Sequence, residues 1–502
     1  MRNVYLIFLV MSFFSCKQGN NLNSKATTLD NNGDRVDQVE GYYDLVIANG
    51  RVIDPETYTD SILNIGVTNG TVVKITSKII KGNKTIDATG KIVSPGWIDM
   101  HHHSPFVFGV SNSNRDGVTT VLDLEGGSFP ILSYGSELEQ NSKANFGCSV
   151  GHAGARIKVI ENKDVSYYKM GNMSTPAWTQ EATLDQIAAI KALLKKGIDD
   201  GGIGIALLLD YMSQAITDDE LQMIFELAKE NNVPVFVHVR RYVDGDIKGL
   251  NEVLKWSEKI GTSLHVCHIN ANAIGNYKNW LAAIDEANAR GADISVELFP
   301  YTAGSTAISS DVFGRDWQKI FNITYADVQW GETGKYFESL EEFNMMRKKE
   351  PAGAIIHHYM KEASIKELLK YPGMIIATDA MPSFTPEKKV VPNGIGSYTK
   401  ILTTYVRDEK WLGLSEAIAL STINPAKRLE KAAPAFKKKG RIQEGADADI
   451  LVFDLEKLET KSSFENPYQP STGYDYVIVN GEITVAYDKA TANQPGNRIL
   501  SN

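Results

Sequence analysis

Between residues 97 and 379 the chain alternates short apolar runs with amphipathic stretches, and this alternation limits the fold more than any other feature. The apolar runs fall at 97–103, 118–125, 146–151, 203–209, 235–240, 264–269, 294–298 and 374–379. Between them, stretches such as 184–196, 219–230 and 280–289 carry apolar residues three and four apart, the period of a helix that buries one face. Strand, helix, strand in that order builds a parallel sheet, and eight such strands close into a barrel. The expected fold is therefore α/β, a (β/α)8 TIM-type barrel over residues 96–430. The interval between the last two runs is too long for one crossover, which places an insertion around 305–365, near the barrel mouth.

At 502 residues the chain exceeds what a barrel needs, and both ends read as β structure. Asn-Gly pairs at 49–50, 69–70 and 480–481 separate short alternating runs, a hairpin signal. One small β-sandwich built from residues 42–95 and 431–502 is expected. Ahead of it, Arg2 and the apolar run 4–14 end at Ser15-Cys16. That run is too short to span a bilayer and reads as a lipoprotein-type signal peptide, residues 1–16. A polar, Asn-rich stretch, 17–41, buries too little to fold and serves as a flexible tether. Cys16 then becomes a lipidated N-terminus, so the protein is exported, faces the periplasm, and touches the membrane only through this anchor. Phe13 and Phe14 depart from the usual residues ahead of such a cysteine, and a plain cleaved signal is the alternative. Only Cys148 and Cys267 remain, too few and too far apart for a disulfide framework. The net charge of -9 provides no basic stripe for phosphates, which excludes a nucleic-acid partner and leaves a small-molecule substrate.

Barrel enzymes keep their chemistry at the C-terminal ends of the strands. The first run ends in three consecutive histidines, 101–103. On an extended strand Asp99, His101 and His103 share one face while His102 takes the other. The second run ends in Glu125, the fifth in His238, the sixth in His268 and the eighth in Asp379. Four imidazoles and two carboxylates at one rim can hold one or two divalent ions, zinc being favoured by imidazole.

The runs VSPGWIDMHHH at 93–103, HVR at 238–240, HVCH at 265–268 and TDA at 378–380 resemble the amidohydrolase superfamily. GVTT at 117–120, Asn145 with GHAGAR at 151–156, FPYTAGST at 299–306, NPAKRL at 424–429 and GRIQEGADADILVFD at 440–454 resemble its D-aminoacylase, or N-acyl-D-amino-acid deacylase, branch. The resemblance implies a metal-dependent barrel hydrolase with a β-sandwich made from both chain ends. It also places His152 at the end of the third strand, where it touches substrate or supports the site from behind.

The chain departs from that branch in two places. The branch usually carries a cysteine ligand after the second strand, and other branches use a lysine on the fourth; here Asp123-Leu124-Glu125-Gly126-Gly127 and 203–209 contain neither. Glu125 is the candidate bridging ligand, with Asp123 and Asp210 as weaker substitutes. The basic residues that receive an amino-acid carboxylate are also missing: Asn270 stands where His-x-Lys would supply a lysine, and Pro392-Asn393-Gly394 replaces His-Pro-Arg. Asn270 is a candidate substrate contact, and Arg240 or Arg241 could replace the lost charge unless they pair with local acids such as Asp244 or Asp246. Tyr301 is placed to meet the oxygen that becomes negative when an amide is attacked, or packs as a wall. His265, His357 and His358 read as structural or surface residues.

The function expected is hydrolysis of a linear amide C–N bond, with an N-acyl amino acid as the small-molecule amide substrate. Metal-activated water supplies the nucleophile and Asp379 the general acid/base. The alternatives are a cyclic amide hydrolase of the hydantoinase or dihydroorotase kind, and a surface-attached binding protein that has lost catalysis. The missing strand-four lysine counts against the first, and the complete set of His101, His103, His238, His268 and Asp379 against the second. Replacing Cys16 with Ser should move the protein from the membrane fraction to the soluble fraction on cell fractionation; unchanged sedimentation with membranes would remove the anchor.

Overall fold

The computed structural model describes residues 41–164, 171–386 and 390–501. The signal peptide, Cys16 and nearly all of the tether lie outside the described residues. Among those described, no helix is long and apolar enough to cross a membrane.

Eight parallel strands form the barrel: Trp97–Asp99, Val118–Ser128, Asn145–Gly151, Ile205–Leu208, Val235–His238, Leu264–Val266, Ile294–Leu298 and Ile375–Ile376. They pair side by side in chain order, each at one of the expected runs. Nearly every strand residue is buried, as parallel strands covered on both faces require. Closure occurs just beyond the strand ends: His103 N–H donates to Ala380 O at 2.9 Å and Ala380 N–H to His101 O at 3.3 Å. The barrel thus closes through the same residues that carry the histidines and Asp379.

The helices between the strands start where the sequence provides caps. Thr183 and Gln186 form a capping box on Leu184–Asp199, and the Thr217 side chain accepts from Glu220 N–H at the start of Asp218–Glu230, each satisfying an otherwise orphaned donor. Below the rim, Phe236 shares a strand face with His238 and joins Ile98, Leu122, Cys267 and Ile375 in one buried cluster. That apolar floor leaves the rim as the place where polar side chains gather.

Between the seventh and eighth strands the chain builds a three-stranded antiparallel sheet, Ala303–Ala307, Ala354–His358 and Val328–Trp330. It covers an aromatic cluster that includes Phe299, Phe313, Phe321, Phe343 and Tyr359. Since Phe299 immediately follows the seventh strand, this unit stands on the rim.

Both chain ends meet in one nine-stranded sheet, with Ile450–Phe453 antiparallel to Ile92–Pro95 at the junction. The long strand Tyr42–Asp54 has Thr59–Thr68 on one edge. On its other edge Lys81–Asp87 pairs with the first half and Ile92–Pro95 with the second. The sheet forks there and wraps around Ile47, Val52, Ile65, Val93, Ile450 and Ile478. Asn69-Gly70 and Asn480-Gly481 form the expected tight turns, all four residues at positive φ. Asn49-Gly50 does not. It is a bulge within one strand, with Asn49 at φ 61° and its N–H on Asn64 Oδ1 at 2.8 Å; a Cβ on Gly50 would lie 2.3 Å from Val93 Cγ2.

Asp449, from the GADAD segment, joins this sheet to the barrel. Its buried carboxylate accepts from Lys439 Nζ at 2.8 Å, from Asn480 N–H at 2.7 Å, and from Asn145 Nδ2 at 3.2 Å at the start of the third barrel strand. Because Lys439 is also buried, removing the acid leaves this cation with Asp447 alone, at 3.0 Å, and leaves the Asn480 and Asn145 donors without an acceptor. Asp449→Ala should lower stability to urea unfolding by about 3 kcal/mol while leaving the folded protein's metal content unchanged; an unaltered unfolding midpoint would show that this junction contributes nothing.

Candidate metal centre

Four histidines from three strand ends converge on one carboxylate. Glu125 Oε1 lies 2.8 Å from His238 Nδ1 and 2.8 Å from His268 Nε2. Its other oxygen, Oε2, lies 3.2 Å from His101 Nε2 and 3.3 Å from His103 Nε2. Asp379 Oδ1 completes the first side, 3.4 Å from His101 Nε2 and 3.5 Å from His103 Nε2, and the two imidazole nitrogens are 3.0 Å apart. The six expected ligands are therefore together: Glu125 is shared by a group with His101 and His103 and a group with His238 and His268, and Asp379 lies with His101 and His268.

The separations test whether a metal fits. Ligands about 2.0–2.2 Å from a tetrahedral zinc are about 3.3 Å from one another. His101 Nε2 and His103 Nε2, 3.0 Å apart and each 3.2–3.5 Å from Glu125 Oε2 and Asp379 Oδ1, lie near that spacing; His238, His268 and Glu125 Oε1 form a second, three-donor set. Two divalent ions joined by Glu125 fit these residues.

Further acids aim the imidazoles. Glu297 Oε1 accepts from His101 Nδ1 at 2.5 Å and Asp123 Oδ1 from His103 Nδ1 at 3.1 Å, so each Nε2 presents its lone pair to the centre. Asp99 turns away from the ligands: its Oδ1 accepts from His101 N–H and Thr378 N–H, and its Oδ2 from Thr378 Oγ1 at 2.6 Å. It brackets the first strand's histidines to the Thr378-Asp379 turn. His268 and Asp379 adopt positive φ, 31° and 52°, conformations that non-glycine residues keep only where surrounding bonds hold them.

Burial governs the electrostatics. For His101 and His103 desolvation opposes a charge, but Glu125, Asp379 and Glu297 around the first, and Asp123 beside the second, outweigh it and hold both pKa values well above the ordinary imidazole range. For Glu125 burial opposes ionisation, yet His101, His238 and His268 hold its pKa well below the usual carboxylate range. Desolvation pushes Asp99 up to about 7, and lowers His238 to about 4. His102, facing Ser113 Oγ at 2.8 Å, is depressed to about 3 by burial and by His103; it stays outside the centre, as strand alternation predicts.

Several expected contacts lie elsewhere. His152 is fully buried with Nε2 on Glu220 Oε1 at 2.8 Å, and Glu220 is also held by Arg156, so it braces two helices and has no ring nitrogen to offer substrate through Nε2. Arg240 is not a substrate receiver either: its guanidinium is spent on Glu252 Oε2 at 2.9 Å and Ile216 O at 2.8 Å. Tyr301 packs as a wall, its hydroxyl toward Ser462 at 3.5 Å. Asn270 donates to Phe299 O at 3.0 Å and keeps a buried Oδ1 without a partner. Arg241 pairs with Asp210, not with Asp244 or Asp246. Asp123 and Asp210 support neighbours instead of replacing Glu125. His265 lies 3.1 Å from Glu297, and His357 and His358 lie in the sheet of the insertion. Glu297 was absent from the expected set; an acid inside a run destined for burial is the one sequence signal that points to it.

Residues 351–485 match the model of the amidohydrolase family. An N-acyl-D-glutamate deacylase of Alcaligenes xylosoxydans xylosoxydans is 25% identical, aligned over 91% of this chain and 96% of its own length. Among solved structures, an N-acyl-D-glutamate deacylase from Bordetella bronchiseptica, complexed with zinc and a phosphonate that mimics the tetrahedral intermediate, superposes with a TM-score of 0.76 at 22% identity, covering 92% of this chain and all of that one. A D-aminoacylase with a binuclear metal centre gives 0.74 at 22% identity over the same shares. The resemblance read from the motifs is matched by these comparisons, and the barrel has the fold of those solved structures.

Removing the shared carboxylate should separate the two groups of ligands. Glu125→Ala should lower the metal content of purified, zinc-loaded protein from two ions per chain toward one, read by elemental analysis; an unchanged ratio would show that Glu125 does not join them.

Proposed function

We propose that this chain is a metal-dependent amidohydrolase that hydrolyses the linear amide bond of an N-acyl amino acid. The observation that carries the reading is Glu125 shared between His101 and His103 on one side and His238 and His268 on the other, with Asp379 at the edge. The similar deacylases are named for N-acyl-D-amino acids, which supports an acylated amino acid as substrate class. The cyclic-amide alternative has less support, because Ile205–Leu208 on the fourth strand is wholly apolar and buried and supplies no lysine.

His101, His103, Asp379 and Glu125 would hold one ion, and His238, His268 and Glu125 the other, with zinc suited to so many imidazoles. A divalent ion held there lowers the pKa of a water toward neutrality and polarises the scissile carbonyl. The protein's own residues do the rest. Glu297 and Asp123 fix the tautomers of His101 and His103. Asp379 is the most exposed of the six, its side chain 13% accessible against 1–3% for the others, so it faces the space where substrate arrives. Its carboxylate takes the proton of the attacking water and returns it to the nitrogen as the C–N bond breaks, releasing a carboxylic acid and a free amino acid. The proposal extends to location: the leader ending at Cys16 supports an exported lipoprotein that works facing the periplasm.

Asp379→Asn should keep most of the bound metal while lowering kcat on N-acyl amino acids by about a thousandfold. Near-normal turnover by that variant would remove Asp379 as the acid/base.

A further inference from the structure

Asn270 and Asn393, at positions where the resemblance leads one to expect basic residues, are neutral, and one buried guanidinium lies close to the candidate metal centre. Arg241 follows the ligand His238 by three positions, at the C-terminal end of the fifth strand, and is only 3% exposed. Its Nε donates to Asp210 Oδ2 at 2.6 Å and its backbone N–H to Asp210 Oδ1 at 2.8 Å. The same Asp210 oxygen lies 3.8 Å from His238 Nε2, so a single carboxylate separates the guanidinium from a metal ligand. One face is covered by Phe321, whose ring centre is 4.9 Å from Cζ. Nη1 donates to the Tyr359 hydroxyl at 3.3 Å. Nη2 is buried and has no partner.

A buried cationic donor left unpaired is costly, and Asp210, Tyr359 and Phe321 hold this one in place. Asp210 is also shared with Arg315 Nη2 at 2.5 Å, so one fully buried acid serves two guanidiniums. Arg315 has a second acid in Asp311 at 3.2 Å, whereas Arg241 has Asp210 alone, and its open Nη2 is the donor left to a further acceptor. Asn270, in the short helix Ile269–Ala273 that follows the adjacent sixth strand, leaves its buried Oδ1 without a donor. An N-acyl amino acid offers both complements, a carboxylate and an amide N–H.

Resting on the deacylase reading, we propose that Arg241, steadied by Asp210 and Tyr359, binds the α-carboxylate of the substrate and is the residue that selects N-acyl amino acids over uncharged amides. The planar fork suits a carboxylate, which it can engage through Nη2 without giving up Asp210.

The test separates binding from turnover. Zinc-loaded Asp379→Asn protein, whose turnover should be about a thousandfold slower, is titrated calorimetrically with an N-acetyl amino acid and with the corresponding N-acetyl amine that lacks the carboxylate. The acid should bind at least about tenfold more tightly, and adding Arg241→Gln should erase that preference while changing amine binding less than about threefold. Equal affinity for the two ligands before the second substitution would overturn the proposal, and so would equal loss of both after it, the mark of a merely structural arginine. Should Arg241→Gln fail to fold because Asp210 keeps only Arg315 as its partner, Asp210→Asn with Arg241→Gln removes one charge of each sign and is read the same way. Failure of the deacylase reading is distinct: it would appear as absent hydrolysis by the unsubstituted, metal-loaded protein, whatever the binding preference.

Discussion

A carboxylate buried among four imidazoles is the constraint on which the rim of this barrel depends. Glu125 is 2% exposed, and taking a carboxylate out of water costs several kcal/mol unless cations surround it. Its neighbours can meet that need by holding protons, and the raised pKa values of His101 and His103 reflect this. Divalent ions meet it better, because they satisfy the imidazole lone pairs and the carboxylate oxygens together. The spacing of the donors, near that of a tetrahedral coordination shell, makes the second solution the one the residues are arranged for.

Everything around the centre resists displacement of those donors. The barrel closes by backbone bonds between His101, His103 and Ala380, so the first histidines and Asp379 cannot move independently. Asp99 ties the same two segments through Thr378, while Glu297 and Asp123 fix the ring nitrogens from behind. Farther out, Asp449 fastens the third strand to the sheet made from both chain ends. Rigid support of this kind is what a hydrolytic site needs, since misplacement of a donor by a fraction of an ångström weakens its hold on metal and transition state alike.

The barrel and the convergence of its rim histidines and acids were legible in sequence for one physical reason. Strand runs are local, and a polar residue at the end of an apolar run has few places to be except the rim. His238, His268, Glu125 and Asp379 each satisfied that rule. Glu297 did not, because it lies within its run and declares its role only through His101, far away in sequence. Arg240 and His152 went the other way: both sit at strand ends, yet Glu252 and Glu220, brought close by helix packing, claim their polar atoms. Asn49-Gly50 carried a turn signature, and tertiary pairing with two further strands turned it into a bulge. Local chemistry proposes a role, and burial against distant partners decides it.

The central claim is that Glu125 joins two divalent ions at the mouth of the barrel, and anomalous scattering at the zinc edge from crystals of the zinc-loaded protein tests it most directly. The account predicts two peaks about 4 Å apart, one among His101, His103 and Asp379 and the other between His238 and His268, with the Glu125 carboxylate between them. Crystals with no peak among these residues, or with metal bound and Glu125 outside its coordination shell, would contradict it.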